Sequence, residues 1–415
     1  MNIVKKIREQ RGLAIDVVSH ASRIPQNRII KIEATGIATD TELKSLAEVY
    51  GVPRFALRAK TAQVAPIPID FRTRGNSVPK LGKSGLRSIY RVEKLLELNR
   101  VLDSKQRKKI VKHPVTVGGK APSLSNSVRQ EIVEQIKEIT SYSADKRSRF
   151  EDAYKLQIVL RYGIEKTGVF FLCDRLLKES FRGFCLSRQN EAAIVLNVVK
   201  QHPSMRVFTT IHELVHILIE RPGIVDPFNY RNEIEKICNR ITSSYLMPKA
   251  EFLEVYMKFR GDDTRILVNR LSKDFHVSKY AAAIRIQELT DQKKFVSRWL
   301  SIVSGSSNLL QSDFDTQDPT DDNLMSIGQL DYESDELESD GEEKFLPRPT
   351  SASYQVNRLG FSAFSLVDKA LQSNLLSKYD VASFLDISPA ILDDALRSYR
   401  RKRAEVERNV ISSTS

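Results

Sequence analysis

Thr209-Thr210-Ile211-His212-Glu213-Leu214-Val215-His216-Ile217-Leu218-Ile219 holds one HExxH pentapeptide in an apolar setting, and its reading decides what surrounds it. On an α-helix, residues four apart share a face about one turn apart, so His212 and His216 can offer two imidazole nitrogens to one tetrahedral ion. Glu213 stands roughly 100° around the helix from His212, where its carboxylate reaches a water at the ion rather than the ion itself. That is the place of a general base. The plain alternative is an amphipathic helix that happens to contain two histidines. With only 6 His in the chain, coincidence is a weak competitor. Ile211, Leu214, Val215, Leu218 and Ile219 make the helix mostly apolar, and two imidazoles and a carboxylate within it would cost several kcal/mol without metal or partners.

The chain has 415 residues, 41% of them hydrophobic, enough for two or three domains. Cys173, Cys185 and Cys238 are the only cysteines; an odd number without CxxC spacing suggests neither a disulfide framework nor a cysteine zinc finger and fits a reducing compartment. The charged N-terminal stretch from Met1 to Arg11 is followed by no apolar run of a secretory signal, and no segment approaches the roughly 18 apolar residues of a membrane span. A soluble, cytoplasmic protein without a membrane partner is expected. The net charge of +13 hides an asymmetry: between Asp313 and Lys344 thirteen acidic residues face one basic residue, a local charge of −12, which leaves +25 elsewhere. Such an excess favours a polyanion, most simply nucleic acid, although scattered solvated lysines would give the same total.

Working outward along the chain, residues 1–60 read as a bundle of short helices. Ile3, Val4 and Ile7 form an apolar face ended by Gly12; Ile15 to Ala21 form a second helix; after a turn at Ser22 to Ile24, Pro25 opens a third, anchored by Ile29, Ile30 and Ile32. A turn of this length between two helices, with Gln26, Asn27, Arg28 and Lys31 facing outward on the second, is the layout of a helix-turn-helix reader, since Asn and Gln suit adenine edges and Arg suits guanine or phosphate. A plain bundle with a polar surface fits the same spacing. Residues 61–125 form a basic helical connector with the run Lys105 to His113, read as a solvated face. Residues 126–303 hold the HExxH motif, preceded by helices near Val128 to Ile136 and Ala153 to Leu160. Gly168 to Cys173, Gly183 to Leu186 and Ala193 to Asn197 read as three short strands. A sheet directly before the motif helix could align an extended substrate along an edge strand. After the motif, Arg221 to Pro227 read as a loop, followed by a helix from about Arg231 to Leu246. Another pair, Thr264 to Phe275 and Lys279 to Leu289 with Ser278 as N-cap, repeats helix-turn-helix spacing but reads as structural because its outer positions are not strongly basic. Residues 304–350 are an acidic linker, and 351–415 a small helical module with Ser388-Pro389 as cap and first turn.

Two histidines leave a catalytic zinc one protein ligand short. HExxHxxGxxH does not occur here, since Pro222 stands at the position of its third histidine, so a carboxylate is expected. Glu220, Asp226, Glu233 and Glu235 are the candidates. Glu220 would string three ligands along one helix line, which suits a tetrahedral ion badly; Glu233 and Glu235 flank the stripe Ile234, Ile237, Cys238, Ile241 and Tyr245 on either side, and periodicity does not choose between them.

Arg206-Val207-Phe208-Thr209 leading into the motif, followed by Glu235 to Pro248, resembles the ImmA/IrrE metallopeptidases, with their R-x-F-T-x-x-H-E-x-x-H and E-x-x-A-N-x-F-A-x-x-L-L-M-P runs. The resemblance implies His212, His216 and Glu235 as zinc ligands and Glu213 as the catalytic base. Cys238, Ile241 and Thr242 depart from the pattern at packing positions. It extends to Asp70-Phe71-Arg72 and the C-terminal helices, and the N-terminal bundle is similar to the Xre-type helix-turn-helix domain, with Ala14 where glutamine is common. It implies a mostly α protein with a small sheet (α+β), in which a helix-turn-helix bundle precedes a gluzincin-like minimal zincin domain and a small helical module. The expected activity is zinc-dependent cleavage of a protein, a transcriptional repressor with its own helix-turn-helix, releasing genes in a mobile element or stress response. The rival expectation is a DNA-binding regulator whose peptidase-like domain senses but does not cut.

Overall fold

Strand β3 (Glu191–Asn197) is buried along its whole length, and this sets the layering of the computed structural model. The structure describes residues 2–52, 54–58, 82–102, 124–176, 181–188, 191–199, 201–219, 223–225, 233–290, 292–304, 351–385 and 387–414. In chain order they form α1 (Ile3–Arg11), α2 (Ile15–Ser22), α3 (Gln26–Thr35), α4 (Asp40–Tyr50), α5 (Lys83–Leu102), α6 (Asn126–Thr140), α7 (Ala153–Lys166), β1 (Phe170–Asp174), β2 (Gly183–Arg188), β3, α8 (Pro203–Leu218) and β4 (Gly223–Val225). They continue with α9 (Glu233–Leu246), α10 (Lys249–Phe259), α11 (Thr264–Phe275), α12 (Lys279–Leu289), α13 (Phe295–Ser304), α14 (Ala352–Gln372), α15 (Lys378–Leu385) and α16 (Pro389–Thr414). The protein is mostly helical around one small mixed sheet, as expected.

The sheet runs β1-β3-β2-β4, with β1 parallel to β3 and β2 antiparallel to both β3 and β4. Side chains alternate faces along each strand. The row Leu172, Val195, Phe184 therefore points to one side and the row Phe171, Ile194, Cys185 to the other. The first row joins a core built from α1–α5 and α14–α16; the second joins a core built from α6–α13. Both faces of β3 and most of β1 and β2 are covered, which is why these strands read as continuous apolar runs rather than as alternating ones.

The helices at the two ends of the chain thus share one core with each other and with the outer face of the sheet, although 305–350 separate the last three from the rest in sequence. Helix α5 ties the N-terminal bundle to the strands: Tyr90 donates to Val49 O at 2.6 Å, Arg91 pairs with Asp174 at 2.7 Å, and Arg100 pairs with Glu191 of β3 at 2.6 Å.

Four expectations change. Gly223–Val225, read as loop, pairs with β2 as a fourth strand, a segment too short for periodicity to register. Ile30, read as an anchor, is 53% exposed while Ile29 and Ile32 are fully buried, because one residue is a 100° step around α3. Pro25 is the N-cap of α3 rather than its first residue. The C-terminal helices α14 and α16 are longer than the short helices expected. The basic run from Lys105 to His113, the Asp70-Phe71-Arg72 segment and the acidic stretch 305–350 lie outside the described residues. No helix among the described residues is long and apolar enough to cross a membrane.

At the β1 edge the docking of α14 depends on one glycine. Gly360 breaks α14 at φ 84° and ψ 170°, a conformation that other residues rarely adopt. A Cβ there would lie 2.2 Å from Glu165 Oε1 and 2.5 Å from Phe171 O. The kink lets Ser362 N–H donate to Glu165 Oε1 at 3.0 Å, while Arg161 donates to Phe171 O and to Asn357 O. Burial pushes the Glu165 carboxyl up, and Arg161 and Ser362 work against that shift. Gly360→Ala combines left-handed strain with a backbone clash and should lower unfolding free energy by about 2 kcal/mol or more; urea unfolding measures it, with Gly261→Ala, where a Cβ meets nothing within 4 Å, as the control.

Candidate metal centre

Helix α8 starts at a proline, tolerated in the first turn, and its N-cap His202 side chain accepts from Ser204 N–H. From Thr209 to Leu218 every residue is buried beneath the sheet. Thr209 returns its hydroxyl to Met205 O at 3.0 Å and approaches Gln201 Oε1 at 3.3 Å, which satisfies one polar group of this enclosed helix. Helix α9 packs alongside and brings Glu235, on its first turn, against the motif.

His212, Glu213 and His216 are at most 1% exposed, and Glu235 is 5% exposed. Glu235 Oε2 lies 3.2 Å from His212 Nε2, Glu235 Oε1 lies 3.4 Å from His216 Nε2, and the two Nε2 atoms are 3.1 Å apart. The rings meet edge-on, with centroids 4.8 Å apart, and Phe208 stacks on His212. One donor atom from each residue fits within a 4.8 Å group, all three buried. Zinc bonds of about 2.0–2.2 Å imply tetrahedral edges of roughly 3.3–3.6 Å between ligand atoms. The observed separations fall close to that, and two imidazoles with one carboxylate are a zinc donor set. The residues fit the ion.

The electrostatics follow from burial. It works against the charge on His212, whose pKa falls despite the Glu235 contact. Burial opposes ionisation of Glu235 as well, but His216 and the contact with His212 outweigh it and hold the carboxyl down at about 2. His216 is desolvated too, yet Cys238 and Glu235 lift it well above the usual histidine range. Without metal, the arrangement is an enclosed ion pair. Glu213 is different: burial pushes it up to about 8, with only partial relief from the His216 charge, and neither of its oxygens accepts a well-formed hydrogen bond.

Gly183, at the start of β2, explains how a carboxylate fits there. A Cβ on it would sit 3.2 Å from Glu213 Oε1 and 3.1 Å from Val195 O, so the strand crosses the base at close range because this residue has no side chain. Read as the first residue of a strand, this glycine gave no sign in the sequence of its closeness to Glu213.

The structure brings together His212, His216, Glu235 and Glu213. Glu220, Asp226 and the side chain of Glu233 lie outside the described residues. The four residues expected to read DNA stand on α3, with Gln26, Asn27 and Lys31 exposed. Arg28 differs, because it makes a two-pronged pair with Glu42 at 2.7 and 2.8 Å. Arg28 and the Thr39 backbone N–H hold that glutamate down at about 2. The turn between α2 and α3 is Arg23 to Pro25, with Arg23 in the left-handed region at φ 60°.

Residues 164–287 match the family model described as Peptidase_M78, the IrrE N-terminal-like domain. This segment is therefore similar to a metallopeptidase domain, and it contains the sheet, the motif helix and α9 to most of α12. The sequence resemblance reached over a wider part of the chain; the end helices lie outside this match. No curated protein and no solved structure matches the chain.

The raised Glu213 pKa has a consequence for stability. An acid whose folded pKa exceeds its unfolded value contributes stability at low pH and loses it as pH rises through the folded pKa. For metal-free protein, the melting temperature of Glu213→Gln relative to wild type should therefore rise as pH passes from the ordinary carboxylate value, about 4.5, to about 8, and level off above that; a difference independent of pH in calorimetry would contradict the shift.

Proposed function

We propose that the chain is a zinc-dependent endopeptidase of cytoplasmic regulation, acting on a protein substrate and carrying its own DNA-binding domain. The observation that carries the reading is the enclosed group of His212, His216 and Glu235 with a fourth buried residue, the carboxylate Glu213, beside it. These three residues would hold the ion, and zinc supplies, when bound, Lewis acidity toward a scissile carbonyl and toward water. Glu213 takes the proton of the attacking water on a carboxylate oxygen and delivers it to the departing amine nitrogen. The apolar surroundings of α8 exclude bulk water from that transfer.

The sheet supports an extended peptide as substrate. β4 ends the sheet next to β2, and Val225 stands opposite Gly183, the residue that abuts Glu213. A substrate backbone added along β4 would lie two strand spacings, about 10 Å, from the Gly183 backbone that abuts the base, and main-chain bonding of this kind tolerates many sequences. The resemblance to ImmA/IrrE proteins suggests a helix-turn-helix repressor as that substrate, with cleavage releasing genes of a mobile element or stress response. The exposed row Gln26, Asn27 and Lys31 on α3 supports DNA contact by the chain itself, and the excess positive charge outside the acidic stretch agrees with it. Arg28 would contribute to such a surface only by leaving Glu42.

Cleavage of the repressor encoded beside this gene tests the enzyme. Zinc-loaded wild type should cut it, and Glu213→Gln should be slower by about 10²–10⁴-fold while retaining zinc; equal cutting by both proteins would remove Glu213 from the chemistry. For the DNA reader, Gln26→Ala with Lys31→Ala should weaken operator binding and flatten its salt dependence by about one unit of slope per lost phosphate contact. Indifference in a binding titration would make the bundle a protein-docking unit.

A further inference from the structure

The strand that crosses the base has a neighbour on either side. Gly183 of β2 lies so close to Glu213 that a Cβ on it would stand 3.2 Å from Oε1. β3 pairs with β2 along its whole length, and β4 lies on the opposite side, with Val225 facing Gly183, Ile224 facing Phe184 and Gly223 facing Cys185. A peptide that is to be cut must bring its carbonyl to a water held by Glu213. One hydrogen bond to that water and one attack distance add to about 6 Å. Adjacent strands are about 4.8 Å apart and second neighbours about 10 Å, so a peptide outside β4 is out of range and one beside β2 is within it. β3 fills one side of β2, and β4 holds the other.

We propose that Gly223–Val225 occupies the place of the substrate's main chain, so that the chain's own strand holds the site closed until an extended peptide takes its position antiparallel to β2. Burial agrees: His212 and Glu213 are fully buried and His216 is 1% exposed, an enclosure that admits no peptide until an element moves. β4 is suited to move. It pairs with three of the six residues of β2, and Pro222 and Pro227, which bracket it in sequence, have no N–H with which to lengthen the ladder. So short a ladder is weak, and a peptide paired along more of β2 replaces it with a longer one. The ligand is therefore an extended segment such as a linker rather than a helix, and its residue at the place of Val225 stands nearest the base.

This inference rests on the zinc peptidase reading, and the two fail differently. The probe is dansyl-Gly-Ile-Val hydroxamate, which joins the sequence of β4 to a zinc-binding group, titrated into the zinc-loaded full chain. A wild type that binds no zinc overturns both readings; everything that follows is read with zinc bound. Successive residues of a strand turn their N–H groups to opposite sides, so one of Ile224→Pro and Val225→Pro removes a ladder bond to β2. That variant should bind the probe about tenfold more tightly than wild type, because its site is open for a larger fraction of the time, with a smaller gain for acetohydroxamate, which reaches the ion but spans no strand. Equal gains for the two compounds, or no gain in either variant, overturn the proposal. The reverse test locks the strand. Gly223→Cys faces Cys185 at the Cα separation of a disulfide. Oxidation with diamide should form that bond and weaken probe binding at least about tenfold, and a phosphine reductant should restore it, with wild type treated alike as the control for Cys173 and Cys238. A bond that does not form, or a locked protein that binds the probe as wild type does, overturns the placement of β4 while leaving the metal reading intact.

Discussion

A central strand buried on both faces is the constraint from which the rest of the structure follows. Because β3 is buried on both sides, helices must cover both, and the chain supplies one layer from its middle and the other from its two ends. Polar groups at the rim of such a sheet have no solvent to turn to. They are paired internally instead: Asp174 at the end of β1 accepts from Ser88 and Arg91, Glu191 at the start of β3 pairs with Arg100, and Arg161 meets Phe171 O. These bonds also set how the end helices lie: the first three reach from the sheet to α5, and Arg161, on α7, bonds Asn357 O of α14 as well.

The same burial gives the metal centre its character. Imidazoles and carboxylates enclosed under a sheet pay a desolvation cost that in water would vanish. Three of them meet it by clustering, so that Glu235 stays ionised and His216 favours its charged form. A divalent cation would replace the proton in that cluster and satisfy all three donors together. Glu213 lies outside the cluster's geometry, and the His216 charge only partly offsets its burial, so its carboxyl holds a proton more readily. Glu235 and Glu213 therefore differ not in residue type but in what each one touches.

Much of this was legible in the residues. The HExxH spacing, the three longer strands and the capped pair α11 and α12 could be read because each depends on neighbours in sequence: a helical period, an apolar run, a serine before a helix. Other features depend on contacts across the chain. Glu233 and Glu235 are symmetric about the buried stripe of α9, and only the packing of α9 on α8 brings the second to His212. Arg28 looks like a free cation until α4 presents Glu42. Gly360 looks like any glycine until β1 and α7 close around it.

By itself, the sequence determined the local pattern: a helix with two histidines and a glutamate at the spacing of a metal site, a mostly helical chain with short buried strands, and an N-terminal bundle with a polar row on its third helix; resemblance added Glu235. Only the tertiary structure decided that Glu235 lies against both histidines, which cations are already paired, that Gly223–Val225 adds a strand, and that both ends of the chain form a single layer. The physical reason is range. Propensity, capping and helical period act over a few residues, whereas ligand choice, ion pairing and layer assembly join residues tens to hundreds of positions apart, and their energies arise only when folding removes water between them.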